Sequence, residues 1–176
     1  MKKIIAIMLI LIFCMIPAGC GSSDVKTDES QPVSDEKADA VREEVVNLVN
    51  NEFPAISEKR DSAVQVFNDF FSEGDSADRD VWGPKLTDAV NEYDQYLLRL
   101  KSIGTTTEEG TGLLSLYVGS AELQFKAMQD IADATNDMDS DRLNSARSSL
   151  AESHDMMDEY DRKLLEICNK YGILIN

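Results

Sequence analysis

The chain has 176 residues, of which 33 are acidic and 17 are basic, and its formal net charge at pH 7 is −16. Nucleic acids and anionic lipid surfaces repel so acidic a chain at long range, so both are disfavoured as partners. The single histidine excludes zinc sites with two histidines and the paired Glu-x-x-His sites of di-iron bundles.

The chain begins with the three-part pattern of an export signal. Lys2 and Lys3 precede an uncharged apolar run over residues 4–16, and the small residues Ala18 and Gly19 then lead to Cys20. The apolar run is shorter than the about 20 residues that a membrane-spanning helix requires. This start resembles a bacterial lipoprotein signal peptide, which is cut directly before a cysteine whose thiol is acylated.

That resemblance implies a processed and lipidated protein. Residues 1–19 would be the signal peptide, and Cys20 would carry two or three acyl chains such as palmitate. The mature protein would be anchored in the cell membrane and would face the extracytoplasmic side. A membrane-spanning helix that is retained, and a secreted protein that is cut at another site, are the alternatives.

Residues 20–33 are predicted to be the lipidated cysteine and a flexible tether, because this segment is polar and has no hydrophobic period. A segment of this kind reaches on the order of 20 Å. Loss of residues 1–19 would remove Lys2 and Lys3, so 15 basic and 33 acidic residues would remain, a net charge of −18. Cys168 would be the only thiol that is not acylated, which excludes an intramolecular disulfide.

Residues 34–176 are predicted to form one all-α domain, whose first helix spans about residues 35–73. One stripe repeats in steps of three and four and contains Val46, Val49, Phe53, Ile56, Arg60, Ala63, Phe67 and Phe70. Because the stripe keeps one register across Pro54, we predict a single long helix that is kinked at Pro54. Two short helices broken near Pro54 are the alternative. Arg60 either extends past the core or pairs with an acid on another helix.

Three more helices are predicted from their boundary signals. The glycines expected at helix ends are Gly74, Gly104 and Gly172. Asp75 or Ser76 would cap the second helix, over about residues 79–103. The capping box Thr105–Glu108 would start the third helix, and the last helix would follow the loop at residues 136–140.

Each of these helices has its own apolar stripe. The second contains Leu86, Val90, Tyr93, Leu97 and Leu100. The third contains Leu114, Val118, Ala121, Phe125, Met128 and Ala132, with Tyr117, Gln124 and Ile131 at its margin. The last contains Leu143, Ala146, Leu150, Ser153, Met157, Tyr160, Leu164, Ile167 and Tyr171. Because the loops are short, we predict an up-and-down antiparallel bundle of about four helices.

Few residues suggest chemistry. His154 is predicted to be a surface or boundary residue rather than a catalytic base, and Cys168 a core residue rather than a nucleophile. An anion site at Arg60 is a less favoured possibility. Other residues at core spacing are predicted to pack, namely Met128, Met156, Met157, Phe67, Phe70 and Phe71. We predict no catalytic residue, no cofactor and no metal ligand.

Two acidic loops are predicted to lie together, at the end of the bundle far from the tether. They contain Glu73, Asp75, Asp78 and Asp80 in one loop and Asp137, Asp139 and Asp141 in the other. The second loop resembles the start of a calcium-binding loop, but Arg142 and Ser148 replace its glycine and its closing glutamate. We therefore predict helix caps rather than a metal site.

Two functions of different classes remain. The favoured prediction is an extracytoplasmic binding or interaction module that contacts a protein, a cell-envelope component or a small ligand. The alternative is an enzyme, or a protein dependent on a divalent cation, in which carboxylates act. Two carboxyl groups of raised pKa in one pocket would favour the alternative, and an apolar groove or a large exposed patch would favour the module.

Overall fold

The computed structural model describes residues 35–74, 77–137 and 139–175, and these ranges are helical and contain no β-strand. The all-α prediction is confirmed. The predicted signal peptide, Cys20 and the tether lie outside the described residues, as do Asp75 and Ser76. No helix within the described ranges is both long enough and apolar enough to cross a bilayer.

The described chain forms four helical rods. The first consists of α1 (Asp35–Asn47), a π-helical turn (Leu48–Glu52) and α2 (Phe53–Glu73), and the others are α3 (Arg79–Lys101), α4 (Glu108–Asp137) and α5 (Ser140–Tyr171). Asn47, Glu52 and Phe53 all have right-handed helical backbone angles, so the first rod is continuous. The chain does not break near Pro54, and a bend there stays a prediction.

The π turn changes which positions of the first rod are buried. The buried residues are Ala38, Val41, Val45 and Leu48 up to the turn, and Phe53, Arg60, Ala63 and Phe67 after it. The step from Leu48 to Phe53 is five residues because the Phe53 N–H donates to the Leu48 carbonyl, the spacing of a π-helix. The predicted stripe is therefore wrong by one position before the turn, where Val46 and Val49 are only partly buried.

The same turn explains how the rod accommodates Pro54. Proline has no N–H, and in a regular α-helix its ring collides with the carbonyl four residues earlier. The π turn lies directly before Pro54, and the wider spacing of a π turn relieves this collision.

Consecutive rods run antiparallel. Between α2 and α3, Lys59 donates to Gln95 at 2.6 Å and Trp82 donates to Glu73 at 2.7 Å, so residue numbers rise in one helix as they fall in the other. The contacts between α3 and α4 and between α4 and α5 follow the same order.

The bundle has two ends with different composition. We call the lower end the one that contains the start of α1, the α3–α4 loop and the end of α5, where Glu44 contacts Thr106. The upper end contains the end of α2, the start of α3, the end of α4 and the start of α5, where Arg142 pairs with Asp133. Both acidic loops therefore lie at the upper end, as the topology predicts.

The caps of two helices lie later in the chain than the sequence suggests, although α3 begins at residue 79 as predicted. Asp78 caps α3 by accepting the N–H of Asp80 at 2.9 Å, and this cap lies after the predicted positions. Thr107, two residues after the predicted Thr105, caps α4 by accepting the N–H of Gly110 at 3.0 Å. A side chain three residues into α4 cannot complete a capping box here, because that position is a glycine.

The helix ends follow the glycine prediction in two of three places. Gly74 and Gly172 follow α2 and α5 and have positive φ angles of 55° and 64°. α3 ends at Lys101 with Ser102 as its last cap, so Gly104 lies within the loop and does not end the helix.

The core contains residues from all four rods. Its largest fully buried side chains include Phe67, Leu86, Tyr93, Tyr96, Leu100, Leu113 and Met128. The buried face of α4 is centred on Tyr117, Gln124 and Ile131, which the sequence places at its margin, whereas Leu114 and Val118 are only partly buried. The predicted stripe of α4 is therefore confirmed at Ala121, Met128 and Ala132 and wrong at Leu114, Val118 and Phe125, which are only partly buried.

Candidate functional site

A buried arginine lies at the centre of the bundle. Only 8% of Arg60 is exposed. Its Nη1 donates to the Tyr117 hydroxyl on α4 at 2.7 Å, while its Nε and Nη2 donate to Oδ1 of Asp61 at 2.9 and 2.7 Å. Among these contacts, the acid is the chain neighbour of Arg60 and the partner on another helix is the phenol of Tyr117.

Aromatic rings enclose the Arg60 guanidinium. Its Cζ lies 5.9 Å from the ring centroid of Tyr96. Tyr117, which accepts from Arg60, stacks on Phe53 with 4.3 Å between the ring centroids. Tyr160 of α5 packs against Tyr117 at 5.4 Å. All four rods therefore contribute a ring to this cluster.

The protonation states of the cluster follow from its burial. Burial raises the pKa of the phenols of Tyr93, Tyr96 and Tyr160 well above the ordinary value of 10, so they are neutral at physiological pH. Burial alone would lower the pKa of Arg60, but Tyr117 and the hydrogen bonds to Asp61 outweigh it, and the pKa is raised. Arg60 is therefore charged.

This cluster joins the rods to one another. The Arg60–Tyr117 bond links α2 to α4, and the Tyr93 hydroxyl donates to Gln124 Oε1 at 2.6 Å, which links α3 to α4. Such a network holds one positive charge inside the bundle and fixes the relative position of three helices. The phenols of Tyr93, Tyr96 and Tyr160 are enclosed and stay neutral, so none of these three is a nucleophile that a substrate can reach.

A carboxylate from α1 closes the start of α4. Oε1 of Glu44 accepts the N–H and the hydroxyl of Thr106, and Oε2 accepts the N–H of Thr107 at 3.0 Å and its hydroxyl. Partial burial would raise the pKa of Glu44, but these hydrogen bonds outweigh it and hold the pKa below its ordinary value. A Cβ at Gly110 would collide with the Glu44 carboxylate, so glycine leaves the room that this contact needs.

The end of α5 is held at the same place. Arg42 Nε donates to the Tyr171 carbonyl at 2.6 Å, and the Tyr171 hydroxyl donates to Glu109 Oε1. Glu109 Oε2 is buried and has no hydrogen-bond partner among the described residues. Partial burial would raise the pKa of Glu109, but the Tyr171 hydroxyl and the charges of Lys37 and Lys170 outweigh it, and the pKa is lowered.

The acids of the upper end act as caps and as surface charges. Asp78 and Asp139 cap α3 and α5, each accepting at 2.9 Å the N–H two residues later. Acids of both loops therefore cap helices, as predicted, but the cap of α3 is Asp78 and not the predicted Asp75 or Ser76. The exposed acids at this end include Glu73, Asp80, Asp137 and Asp141. Within residues 35–74, 77–137 and 139–175, no group of three or more His, Cys, Asp or Glu is placed to hold a metal ion.

The other residues singled out from the sequence lie apart from these clusters. His154 is exposed on α5, as predicted, and Cys168 is a buried core residue with 6% exposed. Phe67 and Met128 are fully buried. The remaining core predictions are only partly buried, namely Phe70, Phe71, Met156 and Met157.

One carboxyl group in the described part of the chain has a raised pKa. Burial raises the pKa of Asp161 on α5, and the negative charge of Asp158 adds to the effect. Both residues lie on the exposed side of one helix. The feature that would favour a carboxylate enzyme, two such groups facing one another, is not found among the described residues.

Two contributors to these clusters escape the sequence patterns. Glu44 belongs to no apolar stripe, and its partners lie 62 and 63 positions away in the chain. The sequence contains one signal for this contact, the pair Thr106-Thr107 followed by Gly110. The threonines provide several hydrogen-bond donors at a helix start, and the glycine leaves room for a carboxylate. Tyr96 lies beside the predicted stripe of α3 and would be found by widening that stripe by one residue.

Comparison with known proteins does not assign a family. No family model, no curated protein and no solved structure matches the chain. The function proposed below therefore depends on the amino-terminal sequence and on the contacts of the described residues.

Proposed function

We propose that the protein is an extracytoplasmic interaction module, anchored to the cell membrane by acyl chains on Cys20. The observation that carries this proposal is the order of Lys2 and Lys3, the uncharged apolar run, and Ala18-Gly19-Cys20. Two or three acyl chains give stable anchoring, which a single chain does not. The tether enters α1 at Asp35, so the lower end of the bundle would lie next to the membrane and the upper end away from it.

The helical body supports binding rather than chemistry. Arg60, its surrounding phenols and the Cys168 thiol are enclosed, and Glu44 is held within the fold. Chemistry on a substrate needs reactive groups that the substrate can reach, whereas docking needs only an exposed surface. The surface of the described body is therefore the part that we assign to function.

The upper end is the surface that we propose for docking. Its exposed acids Asp80 and Asp137 lie at the starts and ends of neighbouring helices, and Val81, 49% exposed, stands in the first turn of α3. An acidic surface attracts a basic partner and repels nucleic acid. A basic protein surface is thus the proposed partner, and the direction away from the membrane makes this end accessible to it.

Anchoring is tested by replacing the cysteine. Cys20→Ala should abolish labelling by a palmitate analogue and should move the protein out of the membrane fraction. The matched control is Cys14→Ala. Cys14 lies in the predicted signal peptide, so this substitution should leave labelling by the palmitate analogue unchanged. A Cys20→Ala protein that stays labelled and membrane-bound would contradict the lipid anchor.

Docking is tested by charge reversal at the upper end. Asp80→Lys with Asp137→Lys leaves the capping residues Asp78 and Asp139 in place and should abolish the protein cross-links that form on intact cells. The control reverses two exposed acids on the sides of the bundle, Glu58→Lys with Asp155→Lys, and should keep the cross-links. Equal loss in both variants would show that only overall charge matters, and no loss in either would exclude the upper end.

A further inference from the structure

The first helix differs from the other elements in how it is attached. α1 is separated from α2 by the π turn, and its buried side chains are only Ala38, Val41 and Val45. We infer that α1 is a strap, which can leave the lower end of the bundle as one unit while α2 to α5 stay folded. Glu44 is the latch that holds it closed.

The polar contacts place the latch at one point of the strap. Glu44 accepts four hydrogen bonds from Thr106 and Thr107, all in the α3–α4 loop. Arg42 adds one bond to the carbonyl of Tyr171 at the end of α5. Each of these bonds has one charged partner, but Glu44 takes part in four of them and Arg42 in one, so the carboxylate of Glu44 contributes the larger share.

The backbone before Pro54 provides a hinge. The π turn replaces the regular hydrogen-bond spacing over Leu48–Glu52, and Pro54 then lacks an N–H altogether. Bending of the rod at this segment breaks fewer α-helical backbone hydrogen bonds than bending elsewhere in the rod. Elements with few buried apolar groups and a weak boundary are those that open first in native proteins.

Opening the strap would uncover part of the core. α1 packs on α4 and α5 and buries Val41 and Val45, so its departure exposes these side chains and the apolar surface that they cover. A load on the segment before Asp35 acts on α1 first, because that segment continues directly into it. A pulling force on this segment requires the proposed lipid anchor, so opening of the strap under force rests on the proposed function. Opening of the strap by thermal motion does not.

The test is amide hydrogen exchange on the full chain in detergent, followed residue by residue. In Glu44→Gln we expect the amides of α1 and of Thr106 and Thr107 to exchange faster, on the order of tenfold, because neutral contacts replace charged ones. The amides of α3, such as those of Tyr93 and Leu97, should keep their rates. Glu43→Gln, the matched loss of charge on an exposed neighbour, should change neither set.

The outcomes separate the strap from a general loss of stability. Equal acceleration in α1 and α3 would mean that Glu44 stabilises the whole fold, and unchanged rates in α1 would mean that it is no latch. Either result overturns the strap. Thr106→Ala removes one hydroxyl contact and disturbs the fold less, so it should give a smaller acceleration confined to the same amides. These exchange rates do not depend on acylation, so the strap can be confirmed or excluded independently of the lipid anchor.

Discussion

The two ends of the bundle are closed in different ways. At the lower end the contacts join residues that are 62, 63 and 129 positions apart, as for Glu44 with Thr106 and Thr107 and for Arg42 with Tyr171. At the upper end the Asp78 and Asp139 caps and the Arg142–Asp133 pair join residues that are only 2 to 9 positions apart.

The difference separates two roles of acidic side chains. The upper acids satisfy helix starts locally, so each loop closes by itself and its outer carboxylates remain on the surface. Glu44 at the lower end instead joins segments that are far apart in the chain, and both of its carboxylate oxygens are used in contacts within the fold. A change of Glu44 should therefore disturb the lower end, whereas the exposed Asp80 and Asp137 at the upper end can change charge with little loss of stability.

The largest effect is expected when the space for the Glu44 carboxylate is filled. Gly110→Ala would displace that carboxylate from four hydrogen bonds, a loss of about 2–3 kcal/mol against a gain of about 0.5–1 kcal/mol from alanine in a helix. Gly112→Ala, where nothing lies near the added Cβ, should instead increase the free energy of unfolding by about 0.5–1 kcal/mol. Urea unfolding measures both, and equal values for the pair would mean that Glu44 contributes nothing.

A smaller effect is expected from removing a local cap. Asp139→Ala should lower the free energy of unfolding by about 1 kcal/mol, because the first amides of α5 lose their acceptor. Asp137 lies two residues earlier and is exposed, so Asp137→Ala should change the free energy of unfolding by less than about 0.5 kcal/mol. A larger loss for Asp137 than for Asp139 would show that the loop acids do more than cap.

The smallest effect is a dependence on pH that originates at the lower end. The pKa values of Glu44 and Glu109 are lowered in the fold, so the unfolded chain binds protons first as the pH falls. Their contribution is complete above the ordinary value of 4.5 and is lost as the pH falls through the lowered values. Urea unfolding between pH 7 and pH 3 should show a steeper decline for the wild type than for Glu44→Gln with Glu109→Gln. Parallel curves would contradict this assignment.

The sequence predicts the four rods because amphipathic spacing and end signals are local properties. The bounds of the first and last rods agree with those expected, and the all-α class follows from them. The burial pattern before Leu48 could not be predicted, because a π turn shifts the register by one residue and leaves no signal other than Pro54. An unbroken stripe through Val46 and Val49 is the simpler pattern, and it is the wrong one.

The candidate sites are less predictable for the same reason. Arg60 is found as a charge on an apolar stripe, but its phenol partner Tyr117 is known only once α2 and α4 are placed together. The contact of Glu44 with the α3–α4 loop joins distant parts of the chain. Because the chain has many acidic residues, the sequence does not show which of them makes this contact. Cys20, in contrast, can be predicted from the sequence alone, because a processing signal consists of consecutive residues and does not depend on the fold.

The π turn at Leu48–Glu52 also determines how this chain can change in length. Deleting one residue there, such as Asn51, would restore regular helical spacing between Leu48 and Phe53 and keep both buried faces on the core. The ring of Pro54 would then meet the carbonyl four residues before it. The deletion is therefore compatible with the fold only together with Pro54→Ala, so the extra residue and the proline would be gained or lost in evolution as a pair.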